Sequence, residues 1–301
     1  MRALVTGAGG FVGAHLSARL AADGWEVAGT LRPGSVAGGL DPRVTALPVD
    51  LGDRDTTVEL ARRVAPDVVF LLAAGRAAAT PTERAATMAV NASSGAWLVD
   101  GLDDRCRAVV RLGSSTEYGP SDELMDESTP VRPQSFFGAT KAAGSLLVTA
   151  AAAAQGVRAT VLRAFQVYGT GDHPGRLVPT ALRAARNGDV LALTAPGMRR
   201  DWIHVDDVVE ACVRAAFADH LPAGQVLNIG TGRQTANEEL VAAVERVTGR
   251  PVRMAVGAHP GRSWDTGTWG CDPSLAAGLL GWEAKVILDD GLARCWEAET
   301  A

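Results

Sequence analysis

The chain begins with an apolar run, Arg2-Ala3-Leu4-Val5-Thr6, that meets glycines at positions 7, 10 and 13, and a helical pattern follows at once. Gly7 permits a tight strand-to-helix turn. Gly10 has no Cβ, so backbone can approach a pyrophosphate, and Gly13 lets the new helix lie close on the sheet. A helix N-terminus offers free N–H groups and a partial positive charge to phosphate. In this context, opening directly after a strand, the glycine spacing is specific for a dinucleotide cradle. Its expected members are Gly7, Gly9, Gly10, Phe11, Val12 and Gly13.

Further apolar runs alternate with helical patterns along the 301 residues. Strands are expected at Ala3–Thr6, Glu26–Thr30, Val44–Val49, Val68–Leu72, Ala108–Leu112 and Ala159–Leu162. Helices are expected at Phe11–Ala22, Asp55–Val64, Thr82–Leu102 and Ala139–Ala154. Repeated βα units predict an α/β fold, a doubly wound parallel Rossmann sheet. The pattern loosens after about Thr170, and one more strand, Gln225–Ile229, follows. This predicts a dinucleotide-binding domain over 1–169 and a smaller substrate lobe over 170–301, with core segments near 200–230 returning to the sheet.

Net charge is −5 with no basic block, which speaks against nucleic acid as a partner. Cys106, Cys212, Cys271 and Cys295 are widely spaced, as expected of reduced cytoplasmic thiols and not of a zinc site or disulfide framework. No metal is expected. The first strand starts at residue 2, so no signal peptide is expected. The apolar stretch Leu146–Ala154 is too short to span a bilayer, so no membrane association is expected.

In such folds the end of the second strand selects the cofactor: an acid holds a ribose 2′-OH, and an arginine accommodates a 2′-phosphate. Here the strand ends Thr30-Leu31-Arg32, with no acid. NADPH is therefore expected over NAD. Asp50, with Leu51 beside it, is placed to meet the adenine; its alternative role is a helix cap.

Several motifs together resemble the extended short-chain dehydrogenases/reductases, and most closely their NAD-dependent epimerase/dehydratase branch. They are Thr6–Gly13, Leu71-Leu72-Ala73-Ala74, Asn91 and Gly113-Ser114-Ser115-Thr116-Glu117-Tyr118-Gly119. Leu162–Gly169, Arg200–Asp207 and Leu227–Gly230 extend the likeness over nearly the whole chain. The resemblance implies a Rossmann domain with a C-terminal substrate lobe. It also implies cofactor contacts from Leu72, Ala73, Ala74, Asn91, Lys141 and Phe165. Pairing of two copies through Thr82–Leu102 and Ala139–Ala154 would suit a homodimer.

The family's catalytic pair is a tyrosine and a lysine four residues apart, hence on one helix face, aided by a Ser or Thr after the fifth strand. The phenol exchanges a proton with the carbinol oxygen, and the ammonium lowers its pKa from about 10. Here the motif reads Phe137-Gly138-Ala139-Thr140-Lys141. Lys141 is kept and Phe137 replaces the tyrosine. The only tyrosines are Tyr118 and Tyr168, which match ordinary loop positions. Ser115 corresponds best to the family's hydroxyl, but the segment is one residue short, so Thr116 stays open.

A ketone beside a phenolic hydroxyl carries its own proton donor. A chain without the catalytic phenol therefore suits an aromatic polyketide ketone, and in this it resembles the simocyclinone-type angucyclinone ketoreductases. The expected activity is then NADPH-dependent ketone reduction with substrate-assisted protonation. Two alternatives remain: a nucleotide-sugar ketoreductase, epimerase or dehydratase, and a non-catalytic NADPH-binding regulator.

The lobe supplies further substrate candidates: Gln166, His173, Arg200, Trp264 and Trp269, besides Ser115, Thr116 and Phe137. Family members on sugar nucleotides commonly show an Arg-Pro-Gly-Asp-like stretch that meets a diphosphate. Here it reads His259-Pro260-Gly261-Arg262, leaving Arg200 and Arg262 for phosphate. Trp264 and Trp269 would suit a flat ligand, whereas Trp202 and Trp282 read as core.

Overall fold

The early apolar runs line up as one parallel sheet. The structure, a computed structural model, describes residues 1–35, 39–76, 78–261 and 266–300. β1 (Arg2–Thr6), β2 (Glu26–Leu31), β3 (Thr45–Pro48), β4 (Val68–Leu71), β5 (Ala108–Leu112) and β6 (Arg158–Ala164) come first. Three strands, β7 (Gln166–Tyr168), β8 (Val190–Leu193) and β9 (Arg199–His204), then lie outside the sheet before β10 (Gln225–Ile229) rejoins it. The spatial order is β3-β2-β1-β4-β5-β6-β10. Val68–Leu71 is apolar at every position and buried at every position, as a strand covered on both faces must be. The strand order reverses between β1 and β4, and such reversals leave a crevice at the carboxyl ends of the strands.

α1 (Phe11–Ala22), α2 (Arg54–Val64), α3 (Pro81–Met88), α4 (Ser94–Asp100) and α5 (Phe136–Ala154) cover the two faces. Later come α6 (Leu177–Asn187), α7 (Val205–Phe217), α8 (Asn237–Thr248), α9 (Ser274–Leu280) and α10 (Leu288–Thr300). One core joins Leu16 and Leu20 of α1 to Val208 and Cys212 of α7, Leu227 and Trp282. The other joins Leu60, Leu98 and Val148 of α2, α4 and α5 to Leu4 and Val69. The lobe has a separate core of Tyr168, Leu182, Trp202, Leu240 and Leu292. Its small sheet is β7, β9 and β11 (Gln234–Ala236), with β8 paired to β12 (Arg253–Val256) nearby. β7 pairs with β9, whereas β10 lies in the large sheet beside β6 and α7 packs against α1.

Two helices differ from their sequence reading. The stretch Thr82–Leu102 is not one α-helix. It starts at Pro81 behind a reciprocal Thr80–Glu83 cap, passes through a π-helical turn at Ala89–Ser93, and ends at Asp100. The wider turn adds a residue without changing composition, so a 3.6-residue period does not reveal it. The second, α5, begins at Phe136 and not at 139, because the Ser135 hydroxyl accepts the Gly138 amide at 3.0 Å. It is 19 residues, long and apolar enough to cross a bilayer, yet Val148 and Ala152 are packed in the Rossmann core.

A buried brace ties β5, β6 and α5 together. Glu117, fully buried in the turn after β5, accepts from the Ser114 amide (2.9 Å), the Ser145 hydroxyl of α5 (3.1 Å) and Arg163 Nε of β6 (3.0 Å). Removing one partner of a buried ion pair leaves a charge without compensation, at about 3–5 kcal/mol. Glu117→Ala is therefore expected to lower the unfolding free energy by about that amount in a urea titration. Unchanged stability would show that the brace contributes nothing.

Candidate active site

The crevice between β1 and β4 is built by backbone. Gly7 sits at φ +70°, its amide donating to Thr30 Oγ1 at 3.0 Å. A side chain at Gly13 would put Cβ 2.1 Å from the Gly7 carbonyl, so the helix can start this close only with glycine there. Thr6 Oγ1 accepts from the Leu72 and Ala73 amides at 3.0 and 3.2 Å, which fixes the exit of β4 beside β1. Gly9 and Gly10 are exposed. The N-cap Gly10 supplies no side chain, and the first turn of α1 carries no acid. The turn thus keeps unsatisfied N–H groups and an uncompensated positive dipole end. This cradle fits a dinucleotide pyrophosphate.

Other expected cofactor residues divide. Arg32 is exposed at the end of β2 and has no ion-pair partner among the described residues. Ala73 lies against Gly7 and is half-exposed, and Ala74 is exposed. Asp50 is exposed, and its Oδ1 takes the Gly52 amide at 2.9 Å, an Asx turn. Leu51 belongs to the second core. Phe11 and Val12 are half-buried, with the Phe11 ring edge-on to His15. Phe165 is buried with Tyr118, Met125, Trp269 and Cys271. Asn91, only 1% exposed, accepts from the Gly75 amide (2.7 Å) and donates to the Gly75 carbonyl and Thr140 Oγ1 (both 2.9 Å). Its amide is taken up in tying the loop after β4 to α5, so it holds the walls of the site and does not reach into it.

At the end of β5, Ser115 is buried in the turn and its carbonyl accepts the Tyr118 amide. The flanking hydroxyls are half-exposed and bonded to each other, Ser114 Oγ to Thr116 Oγ1 at 2.8 Å. The Thr116 carbonyl lies against Gly138, in the turn of α5 that carries Phe137. The structure therefore pairs Thr116 with Ser114, a residue the motif count passed over because the segment is one residue short. Glu117, the one carboxylate left in the motif, points into the core brace and cannot serve as a general acid here.

No tyrosine can stand in for Phe137. Tyr118 and Tyr168 are both fully buried. The Tyr118 hydroxyl donates to Asn228 Oδ1 at 2.8 Å and its ring lies under Arg163; the Tyr168 hydroxyl donates to the Leu288 carbonyl. Burial raises both phenol pKa values, away from the range a proton carrier needs.

Lys141 is 4% exposed, and its Nζ donates to the Leu112 carbonyl. Burial, with Arg111 and Arg76 adding positive charge nearby, lowers its pKa to about 7. Arg111 is itself buried, donating to the Asn91 carbonyl at 2.7 Å. Arg76, on the loop after β4, stacks its guanidinium 4.5 Å from the centre of the Phe137 ring. Asp172, on the loop after β7, has a nearly buried side chain and a raised pKa caused by that burial. Neither Arg76 nor Asp172 falls in a motif, so no local pattern singles them out.

The lobe candidates are scattered. Gln166 is half-exposed on β7. His173 is exposed and caps its own loop, Nδ1 accepting the Gly175 amide. Arg200 is half-buried on β9 and donates to the Arg199 and Thr266 carbonyls. Trp269 is 7% exposed and packed in the small core with Phe165 and Cys271, so it offers no open stacking surface. Trp202 and Trp282 are core, as expected. Trp264 and Arg262 lie outside the described residues.

A Rossmann sheet with a glycine cradle at the β1–β4 switch, a hydroxyl pair after β5 and a lysine on α5 defines a dinucleotide-dependent oxidoreductase scaffold. The chain belongs to the NAD dependent epimerase/dehydratase family, whose model matches residues 3–230, and is an enzyme of the extended short-chain dehydrogenase/reductase type. It is 31% identical to a UDP-glucose 4-epimerase of Mycolicibacterium smegmatis over 99% of this chain and 98% of that protein. It is 29% identical to a dTDP-6-deoxy-L-talose 4-dehydrogenase (NAD(P)(+)) of Kitasatospora kifunensis over 99% and 96%. Among solved structures, UDP-glucose 4-epimerase of Thermotoga maritima with UDP-glucose superposes with a TM-score of 0.90 at 27% identity, covering 100% and 99%. MoeE5 in complex with UDP-glucose and NAD gives 0.88 at 30%, over 100% and 99%.

The lowered Lys141 pKa has a stability consequence. The folded value is about 7 against 10.5 unfolded, so the unfolded chain binds the extra proton. Below pH 7 the buried ammonium destabilises the protein, and this penalty fades as pH rises from about 7 towards 10.5. Lys141→Met is expected to stabilise the protein free of cofactor more at pH 6 than at pH 9, read from urea midpoints. A pH-independent gain would mean that Lys141 keeps an ordinary pKa.

Proposed function

We propose that this chain is a nicotinamide-dependent ketoreductase acting on a sugar linked to a nucleoside diphosphate. The observation that carries the substrate class is the full-length likeness to enzymes named for UDP- and dTDP-linked sugars. In this reading Arg200, half-buried on β9, would meet the diphosphate. The bound cofactor supplies a hydride, held by the glycine cradle and by Lys141.

The missing phenol selects among the family's reactions. Epimerisation and dehydration both begin by oxidising an alcohol, which requires a base to take its proton. An alcohol with a pKa near that of water, about 16, is roughly nine decades from neutrality, or about 12 kcal/mol. Phe137 accepts no proton, both tyrosines are buried and bonded, and Lys141 Nζ is buried against the Leu112 carbonyl. Reduction reaches the same alkoxide from the other side, by a hydride transfer that net oxidation of the cofactor would drive, and the alkoxide would then take its proton from water or through the Ser114–Thr116 pair.

The aromatic polyketide ketone expected from the sequence rests on the same missing phenol alone. The relatives act, by their names, on nucleotide sugars, and the buried Trp269 removes part of the flat surface that such a ligand would need. NADPH stays the preferred cofactor in this reading, because Arg32 is exposed just after β2 and β2 ends without an acid. The four cysteines are unpaired and buried, in keeping with work in the cytoplasm. Two copies would pair through α3–α4 and α5, where Leu146 is 68% exposed.

Calorimetry on protein saturated with NADP⁺ tests the substrate class. UDP or dTDP is expected to bind, and Arg200→Ala to weaken that binding about tenfold, or 1.4 kcal/mol. Absence of heat with either nucleotide would remove the nucleotide-sugar reading. For the cofactor, NADPH is expected to bind at least about tenfold tighter than NADH, with the preference lost in Arg32→Ala. Equal affinities in the parent protein would remove the Arg32 argument.

A further inference from the structure

The helix that opens at the glycine cradle also holds a loop leading into the lobe. His15, four residues along α1 from Phe11, has its Nε2 2.8 Å from the Thr170 carbonyl in the loop after β7. We propose that His15 is a positioning residue of this enzyme: its bond to Thr170 fixes that loop against α1, so that filling the cradle tightens the binding of the second ligand. The proposal rests on the reading above for the identity of that ligand, a sugar linked to a nucleoside diphosphate.

A carbonyl only accepts, so Nε2 carries the proton of this bond. The other ring nitrogen, Nδ1, is 3.9 Å from Asp206 Oδ1 in the first turn of α7, and Asp206 Oδ2 accepts from Arg294 of α10 at 2.8 Å. The His15 ring stands edge-on to Phe11, with centroids 5.7 Å apart. Phe11 in turn faces Gly169. A Cβ at Gly169 would lie 3.3 Å from Phe11 Cζ and 2.5 Å from Val205 Cγ1, so the backbone comes this close only as glycine. The loop thus lies on the first two turns of α1, directly behind the cradle.

At its far end the loop enters the lobe. It follows β7, carries Asp172 and His173, and leads into α6, whose Val178 and Leu182 belong to the lobe core. Thr170, Gly171 and His173–Gly175 are exposed, so the loop buries little surface and its position depends on discrete bonds. A phosphate at the N-terminus of α1 meets its free N–H groups and its dipole and steadies the first turn. Phe11 and His15 pass that order to Gly169 and Thr170, and so to the segment entering α6. Two ligands that favour the same loop position bind with positive and reciprocal coupling, of about 5- to 150-fold. A histidine that only held the fold would change stability and both affinities together. One that positions the loop changes the coupling between them.

The test is calorimetry of UDP and dTDP on protein without cofactor and saturated with NADP⁺, with hydrogen exchange of residues 169–176 followed in the presence and absence of NADP⁺. The variants are H15F, which keeps a ring beside Phe11 and lacks the donor, H15N, whose amide is too short to reach Thr170, and H15Q, whose amide nitrogen falls where Nε2 stood. In the parent protein NADP⁺ is expected to tighten nucleotide binding at least about fivefold and to slow exchange in the loop. In H15F and H15N the coupling is expected to fall to about one, with NADP⁺ affinity within about twofold of the parent and the loop protection gone. H15Q is expected to keep both. Coupling unchanged in H15F and H15N would overturn the proposal, as would its loss in H15Q or nucleotide binding in the parent that ignores NADP⁺. If neither nucleotide binds the parent while NADP⁺ still protects the loop in a His15-dependent way, positioning by His15 stands and the nucleotide-sugar reading is removed. Absence of both nucleotide binding and His15-dependent protection would overturn both.

Discussion

The site depends on one buried carboxylate. Glu117 gathers the amide of Ser114, the hydroxyl of Ser145 and the guanidinium of Arg163 around itself with no access to solvent. Those three contacts lie on the turn after β5, on α5 and on β6. They therefore lock the hydroxyl pair to the helix that carries Phe137 and Lys141. A buried carboxylate is costly unless its oxygens are bonded; here the contacts satisfy it, and the cost is converted into a single permitted arrangement. The second tie, Asn91, does the same for the opposite wall. Its amide joins the loop after β4 to α5, and its carbonyl, in the π turn, accepts from Arg111.

These two ties surround an unusual charge distribution. Arg111 and Lys141 are both buried, and burial lowers both pKa values, to about 10 and about 7. The lysine is thus poised between charged and neutral near physiological pH. A ligand that offers hydroxyl or phosphate oxygens to Nζ would restore the ammonium, so binding and protonation are coupled at this position. With a tyrosine in the family's catalytic place, that ammonium would act on a phenol. With phenylalanine there, the ammonium has no phenol to act on.

Much of this was legible in the sequence because it is written in local patterns. The glycine spacing after β1, the continuous apolar strands and the tyrosine-to-phenylalanine exchange are each contained within a dozen residues. The strand order follows from βα repetition and handedness. What escaped is set by contacts across the chain. The π turn at Ala89–Ser93 leaves no mark on hydropathy. Ser114 was passed over because a one-residue deletion obscures which hydroxyl faces outwards, and only the turn geometry decides it. Asn91, expected at the cofactor, is consumed by the scaffold, and Trp269, expected at the substrate, is consumed by the small core with Phe165 and Cys271. Arg76 is an ordinary loop arginine until α5 brings Phe137 beneath it. The lobe was least legible, since its strands are three to six residues long and pair with partners far away in sequence.

The central claim is net reduction of a nucleotide-linked ketone in a site that has lost its phenol. The most direct measurement follows the label from NADPH deuterated at the transferred position of the nicotinamide C4 into dTDP-4-keto-6-deoxyglucose, by mass spectrometry of the sugar nucleotide and the cofactor together. The account expects one deuterium on the sugar for each NADP⁺ formed. An isomerised or dehydrated sugar with the cofactor unconsumed would contradict it.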